Sequence, residues 1–347
     1  MSRMKQVVLV LAVAALAVAV AVGGAVWQAN RFMATPVSVP DDGALFEVSP
    51  GSSFAAVTRK LVEAEIIDDD FWFRLHARLT GDAHGIQAGE YLIEAGATPQ
   101  TLLEQFTRGV VQLYSFTIVE GWNQRDLLQA LQAHDAVDAS MTDEDWPALL
   151  EEFGAPVTHP EGLFLPETYH FPRNTTDRQL LSQAYVLMQD VLEEEWQGRG
   201  EEAPVQTPYE ALVLASIVEK ETARADERPR IAGVFARRLE KGMRLQTDPT
   251  VIYGIGPGFD GNLTRKHLQT DTPYNTYRRA GLPPTPIAMP GRAAINAVLH
   301  PADGEELYFV ATGLDDGSHK FSVTKDEHDA AVAEYLRRLR QKRKDGG

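Results

Sequence analysis

From Val7 to Trp27 the chain reads VVLVLAVAALAVAVAVGGAVW, with no charge on any face. A helix crosses a bilayer with roughly 20 apolar residues, so this run predicts a membrane-spanning helix. Arg3 and Lys5 precede it, which puts residues 1–6 in the cytoplasm and everything after Trp27 outside. A cleaved signal peptide is the competing reading, because Ala-x-Ala sites abound. The length of the run and Trp27 at its outer end favour a retained anchor over residues 7–27.

After a Pro- and Asp-containing stretch at 28–43, read as a linker, the pattern changes. LFEVSP (Leu45 to Pro50) alternates as a short strand. Phe54, Val57 and Leu61 share one face of a following helix. Asp68 to Asp70 can cap a second, with Phe71, Leu75 and Leu79 spaced as its inward stripe. Ile86 to Gly96 reads as a returning strand, and Thr98 to Arg108 as a closing helix. This strand–helix–helix–strand order over residues 44–110 resembles the small glycan-binding LysM module, although many small α+β units share it.

Residues 111–347 then read as a second, mixed α+β domain. Gln112 to Val119 predicts a strand, and Asn123 to Leu131, Trp146 to Phe153 and Leu180 to Trp196 predict helices. Thr207-Pro208-Tyr209-Glu210 is a capping box that opens a helix running to about Thr222. Pro229 opens another, stopped by Gly242. Met243 to Pro301, rich in Gly, Pro, Thr and Asn, predicts a long ordered loop. Leu307 to Ala311 and Lys320 to Thr324 predict a hairpin, and Ala330 to Lys344 a terminal helix with a solvated basic end. The fold class expected is α+β: a transmembrane helix, a small βααβ unit and a larger mixed domain.

Composition narrows the chemistry. With 44% hydrophobic and 24% charged residues the chain is globular rather than disordered. Its net charge of −16 argues against nucleic acid as a partner, since phosphate contacts need clustered Lys and Arg. The absence of Cys excludes disulfides and thiolate metal sites. No His-Glu-x-x-His spacing, Gly-x-Ser-x-Gly elbow or phosphate loop is present, so neither a metal nor a cofactor is expected.

One stretch stands against local preference. A largely apolar run, Leu212 to Val218, leads into Glu219, Lys220 and Glu221. Acids at a helix C-terminus oppose the macrodipole by roughly a few tenths of a kcal/mol each. Helical geometry separates the two Glu side chains by about 200°. Glu221 continues the stripe of Leu214, Ile217 and Val218, and apolar walls raise a carboxyl pKa. A carboxyl protonated near neutrality is what a general acid requires. Glu219 lies on a mixed face and could pair with a base such as Arg224. A frayed, solvated helix end remains the alternative for both.

The loop that follows holds LQTDPTVIYG (Leu245 to Gly254) and TPYNTYRRAGLPPTPIAMPG (Thr272 to Gly291). Tyr253, Tyr274 and Tyr277 suit stacking on sugar faces. Gln246, Asp248, Asn275 and Thr276 suit hydroxyl or acetamido groups. Asp-Pro, Asn-Thr and Pro-Gly also make turns with no ligand at all.

These segments, with EGLFLPETY at Glu161 and the late LYFVA and HKFSVTKDEH, closely resemble the YceG-like family of endolytic murein transglycosylases over almost the whole chain. The resemblance implies that Glu221, the second Glu of the Glu-Lys-Glu triplet, is the catalytic acid. It implies endolytic cleavage of the β-1,4 bond between N-acetylmuramic acid and N-acetylglucosamine in nascent peptidoglycan, leaving 1,6-anhydro ends and terminating strand elongation. It implies residence in the cytoplasmic (inner) membrane and contact with peptidoglycan synthases. Glu161 joins the substrate-binding candidates. A hydrolytic muramidase would need a second acid, from Asp248, Glu161 or Glu167. A non-catalytic glycan-binding scaffold would treat Glu221 as structural.

Overall fold

The computed structural model describes residues 3–345. The chain forms two compact α+β units. One comprises the described residues up to Tyr114 together with His170–Asn174, the other Ser115–Tyr169 and the described residues from Thr175 on.

In the first unit, α1 (Arg3–Ala34) is long and apolar enough to cross a membrane, with a mean hydropathy of 2.8 over its best window. Its Val and Leu side chains stand exposed up to Trp27. Its last turn does not. Met33 is 3% exposed and, with Phe32, belongs to the core of this unit. Residues 28–43 are therefore not a free linker. The Val37 N–H donates to Ala97 O at 2.8 Å, Ser38 N–H to Ile66 O at 3.0 Å, and Val37 and Val39 pack on the core.

Strand β1 (Ala44–Val48) pairs antiparallel with β2 (Gly89–Ile93), Phe46 opposite Tyr91. Between them lie α2 (Phe54–Glu63), capped by Ser53, and α3 (Phe71–Thr80), ended by the left-handed Gly81. Helix α4 (Pro99–Arg108) starts at a Thr98 cap and closes the unit. Phe106 sits at the centre, 4.8 Å from the Tyr91 ring and 5.8 Å from that of Phe46. The inward stripe of α3 differs from expectation. Phe73 and Ala77 are buried, while Phe71 and Leu79 are 57% and 79% exposed. Both stripes are apolar at helical spacing. The one with small Ala77 allows close approach of neighbouring helices, and its Phe73 ring meets Phe54 at 5.5 Å.

Strand β3 (Leu113–Thr117) leads toward the second unit. There α5 (Gln124–Gln132) starts at Asn123, whose side chain accepts the Arg125 and Asp126 N–H groups. Next come β4 (Val137–Asp138), α6 (Trp146–Glu152), β5 (Thr168–Pro172), β6 (Thr175–Thr176) and α7 (Asp177–Gln197). β3 pairs with β5, and β4 runs parallel to β6. Helix α8 (Pro208–Glu221) is buried on every face from Ala211 to Val218, as a helix apolar all round must be. It is enclosed by α7, α9 (Arg228–Glu240), α10 (Asp248–Ile255) and α12 (Arg292–Leu299). Residues 243–301, expected as loop, thus contain three short helices, α11 (Arg265–Gln269) being the third. Their turn residues mark helix ends rather than one continuous loop. The hairpin of β7 (Tyr308–Ala311) and β8 (His319–Ser322) and helix α13 (Lys325–Asp345) complete the unit.

Candidate active site

The buried body of α8 delivers three charged residues to one end, and each goes a different way. Glu219 turns to structure: its carboxylate accepts the Gly291 N–H at 3.0 Å and Arg228 Nη2 at 2.9 Å. Glu120 pairs with the same guanidinium at 3.2 Å. The base beside Glu219 is therefore Arg228, not Arg224, which binds Asp226 instead. Lys220 donates to Gly121 O at 3.0 Å. Gly121 N–H in turn donates to Met289 O, and Met289 N–H to Trp122 O. The two bracing residues thus fix the Glu120–Trp122 turn and the Pro290–Gly291 turn to the end of α8.

Among the described residues Glu221 has no ion-pair partner. It is half-buried, and its Oε1 accepts the hydroxyl of Thr247. Burial pushes its carboxyl up to about 7, and the negative charge of Asp248 adds to this. The Thr247 bond and the charge of Arg238 pull the other way. The balance leaves a carboxyl that can hold or release a proton near neutrality.

The predicted residues fall into two groups. Gln246, Thr276 and Asp248 surround Thr247. Gln246 is exposed and sits at φ 55°, a left-handed turn that costs a non-glycine residue about 1–2 kcal/mol. Asp248 is exposed, and its Oδ1 accepts the Tyr277 hydroxyl at 2.6 Å. Burial and this bond both raise the Tyr277 phenol. Thr276 is buried and accepts the Thr247 N–H at 3.1 Å. Asn275 is also buried. Its amide donates to the carbonyls of His267, Leu268 and Thr270, and its Oδ1 accepts Tyr277 N–H, so its polar capacity goes to the loop itself.

The second group gathers around Glu161. This carboxyl is fully buried, accepts Tyr253 OH at 2.9 Å and Gln124 N–H at 3.0 Å, and is pushed by burial up to about 7. The Tyr253 ring meets Tyr274 edge-on at 4.8 Å, and Tyr274 OH lies 2.9 Å from Thr285 Oγ1. The adjacent Gly162 has φ 78°, and a Cβ there would fall 2.5 Å from Pro286 Cβ, so only glycine permits this approach.

Sequence reasoning missed Thr247, Thr250 and Arg238. Thr247 lay inside LQTDPT but read as turn chemistry. Arg238 is one of several basic residues on α9, and no motif marks it. Its guanidinium is buried and donates to Leu307 O at 2.6 Å, Leu245 O at 2.7 Å and Arg244 O at 3.2 Å. A cavity of about 900 Å³ between Arg237, Lys241 and Asp303 is lined by none of these candidates.

The YceG-like family model matches residues 46–334. A Bacillus subtilis (strain 168) protein named endolytic murein transglycosylase is 31% identical over 306 residues, covering 83% of this chain and 84% of that protein. One of the same name from Streptococcus pneumoniae (serotype 2, strain D39) is 28% identical, over 83% of this chain and 58% of its own length. The crystal structure of a YceG-like protein from Listeria monocytogenes aligns with a TM-score of 0.51 and 25% identity, covering 84% of this chain and 99% of that one. With the greater part of its length matched, the chain belongs to the YceG-like family.

Proposed function

We propose that this chain is an endolytic murein transglycosylase that cuts the N-acetylmuramic acid–β-1,4–N-acetylglucosamine bond within nascent peptidoglycan strands. The observation that carries the reading is Glu221: one carboxyl, without an ion pair among the described residues, held near a pKa of 7 at the end of a buried helix. In this mechanism Glu221 protonates the glycosidic oxygen as positive charge develops at the muramic C1. The resulting carboxylate then takes the proton of the same sugar's C6 hydroxyl as that oxygen attacks C1. The C1–O bond to the leaving sugar breaks, a C1–O6 bond forms, and the proton count returns to its start. An intramolecular nucleophile removes the entropic cost of a second reactant. A water-using glycosidase generally needs two carboxylates flanking the bond. Glu161 is enclosed and engaged by two donors, which speaks against it as that second group.

In the same reading α1 anchors the chain in the cytoplasmic membrane with its N-terminus inside. The first unit serves as a LysM-like module, and glycan-polymerising synthases are neighbours whose strands the enzyme terminates. Gln246, Asp248, Tyr253, Tyr274 and Tyr277 line the path of the glycan, while Asn275 and Thr276 shape it from behind.

The test uses the full chain in detergent with uncrosslinked glycan strands, product ends being read by mass spectrometry beside Glu221→Gln. Anhydro-muramic ends that vanish in the variant support the proposal. Reducing ends would mean that water attacks, with Asp248, whose charge acts on Glu221, as the second acid to examine. Equal cleavage by the variant would remove Glu221 from the chemistry.

A further inference from the structure

The Thr247 hydroxyl has one proton to give, and the bonds around it decide where that proton goes. Thr247 N–H donates to Thr276 Oγ1 at 3.1 Å. Thr250 Oγ1 donates to Thr247 O at 2.8 Å. Thr276 Oγ1 also approaches that carbonyl, but at 3.5 Å; with the shorter bond taken by the Thr250 proton, the 2.8 Å contact between Thr276 and Thr250 has Thr276 as donor. The circuit closes on itself: amide 247, hydroxyl 276, hydroxyl 250, carbonyl 247. All three threonines are buried away from bulk solvent. Both peptide groups of Thr247 are thus satisfied by side chains, which leaves its own hydroxyl for Glu221 Oε1.

The residues just before are held as firmly. Arg238 from α9 fixes the carbonyls of Arg244 and Leu245, and Gln246 N–H donates to Thr276 O at 3.3 Å. The left-handed Gln246 between them turns Thr247 toward Glu221.

We infer that Thr247 is a positioning residue for Glu221: its hydroxyl occupies Oε1 and so makes Oε2 the oxygen that gives and takes the proton. The inference rests on the transglycosylase reading for its meaning, but its geometry does not. The groups facing Glu221 are Thr247 and Asp248 at the start of α10, Arg238 on α9 and Tyr277 beyond α11. Of these, Thr247 is the one hydrogen-bonded to the carboxyl. A donor to a carboxylate favours the ionised form, so its removal raises the Glu221 pKa.

Thr247→Val keeps the side-chain shape without the hydroxyl, and Thr247→Ser keeps the hydroxyl. Both are made in the full chain in detergent, with urea melts confirming the fold. The Glu221 carboxyl is titrated by carbon-13 NMR, its signal assigned by its loss in Glu221→Gln. Thr247→Val is expected to move the midpoint upward and to lower kcat by about a hundredfold with little change in KM. Thr247→Ser is expected to stay near wild type in both. A midpoint and kcat unchanged in Thr247→Val overturn the inference. So does a serine variant as impaired as the valine, since packing alone would then matter. If the wild type cleaves no glycan, the functional reading falls, and the titration still decides the positioning role.

Discussion

Tyr253 donates its hydroxyl to the buried carboxyl of Glu161 across 2.9 Å, tying α10 to the loop that precedes β5. Removing that hydroxyl leaves Glu161 with Gln124 N–H as its remaining donor. Tyr253→Phe should destabilise the fold by about 1–3 kcal/mol above pH 7, where Glu161 is ionised. The penalty should shrink toward pH 5, where the carboxyl is protonated in either protein. Urea melts at the two pH values check both halves.

Glu221 gives a second pH signature. Its folded pKa of about 7 lies above the ordinary glutamate value of 4.5, so the native state binds the extra proton between them. Stability is therefore lost as pH rises through that window and levels off above it. Glu221→Gln cannot titrate. Its stability relative to wild type should grow across the window by on the order of 3 kcal/mol, while cleavage is abolished. Parallel thermal melts at several pH values would show the gap; a constant gap would mean that the carboxyl is not perturbed.

Activity should follow the same group in the same direction. The acid must be protonated to begin, so kcat/KM should fall tenfold per pH unit above about 7. A plateau well into alkaline pH would point to another acid.

Glu219 predicts a structural loss. Glu219→Ala strips the Gly291 N–H of its acceptor and leaves Arg228, whose side chain is 10% exposed, with Glu120 as its remaining carboxylate partner. A cost of about 3 kcal/mol in urea is expected, near the low end for breaking a buried pair. Folded protein should still bind glycan, which isothermal calorimetry with short strands can measure.

The junction after α1 predicts where the chain tolerates cutting. A soluble fragment beginning at Gln28 keeps Phe32 and Met33 in the core; one beginning at Pro36 loses both. The shorter fragment should be less stable by roughly 2–3 kcal/mol, the worth of one buried large apolar side chain. Paired melts of the two fragments decide it.

Much of this was legible in the chain. The αβ order of the first unit, the Thr207 cap and the burial of α8 all follow from periodicity and turn residues. So does the apolar setting of Glu221, which continues the buried stripe of α8. Three things were not legible, for physical reasons. The rotation of α3 was ambiguous because two apolar stripes compete and only packing chooses. The helices within 243–301 were hidden because each is about two turns or less, with Pro, Gly or Thr at its ends. The Thr247–Thr250–Thr276 circuit joins residues 26 apart through buried hydroxyls, and a hydroxyl carries no periodic signature.

Helix α1 enters the core of the first unit without a break at Phe32 and Met33. A continuous helix has no joint. Once it is seated in a bilayer, a tilt imposed on its outer turns by lipid thickness would be carried to the β1–β2 ribbon and the helices packed on it. The attitude of that unit above the membrane would then be set by the lipids, and a thicker or thinner bilayer would steer it with no ligand bound.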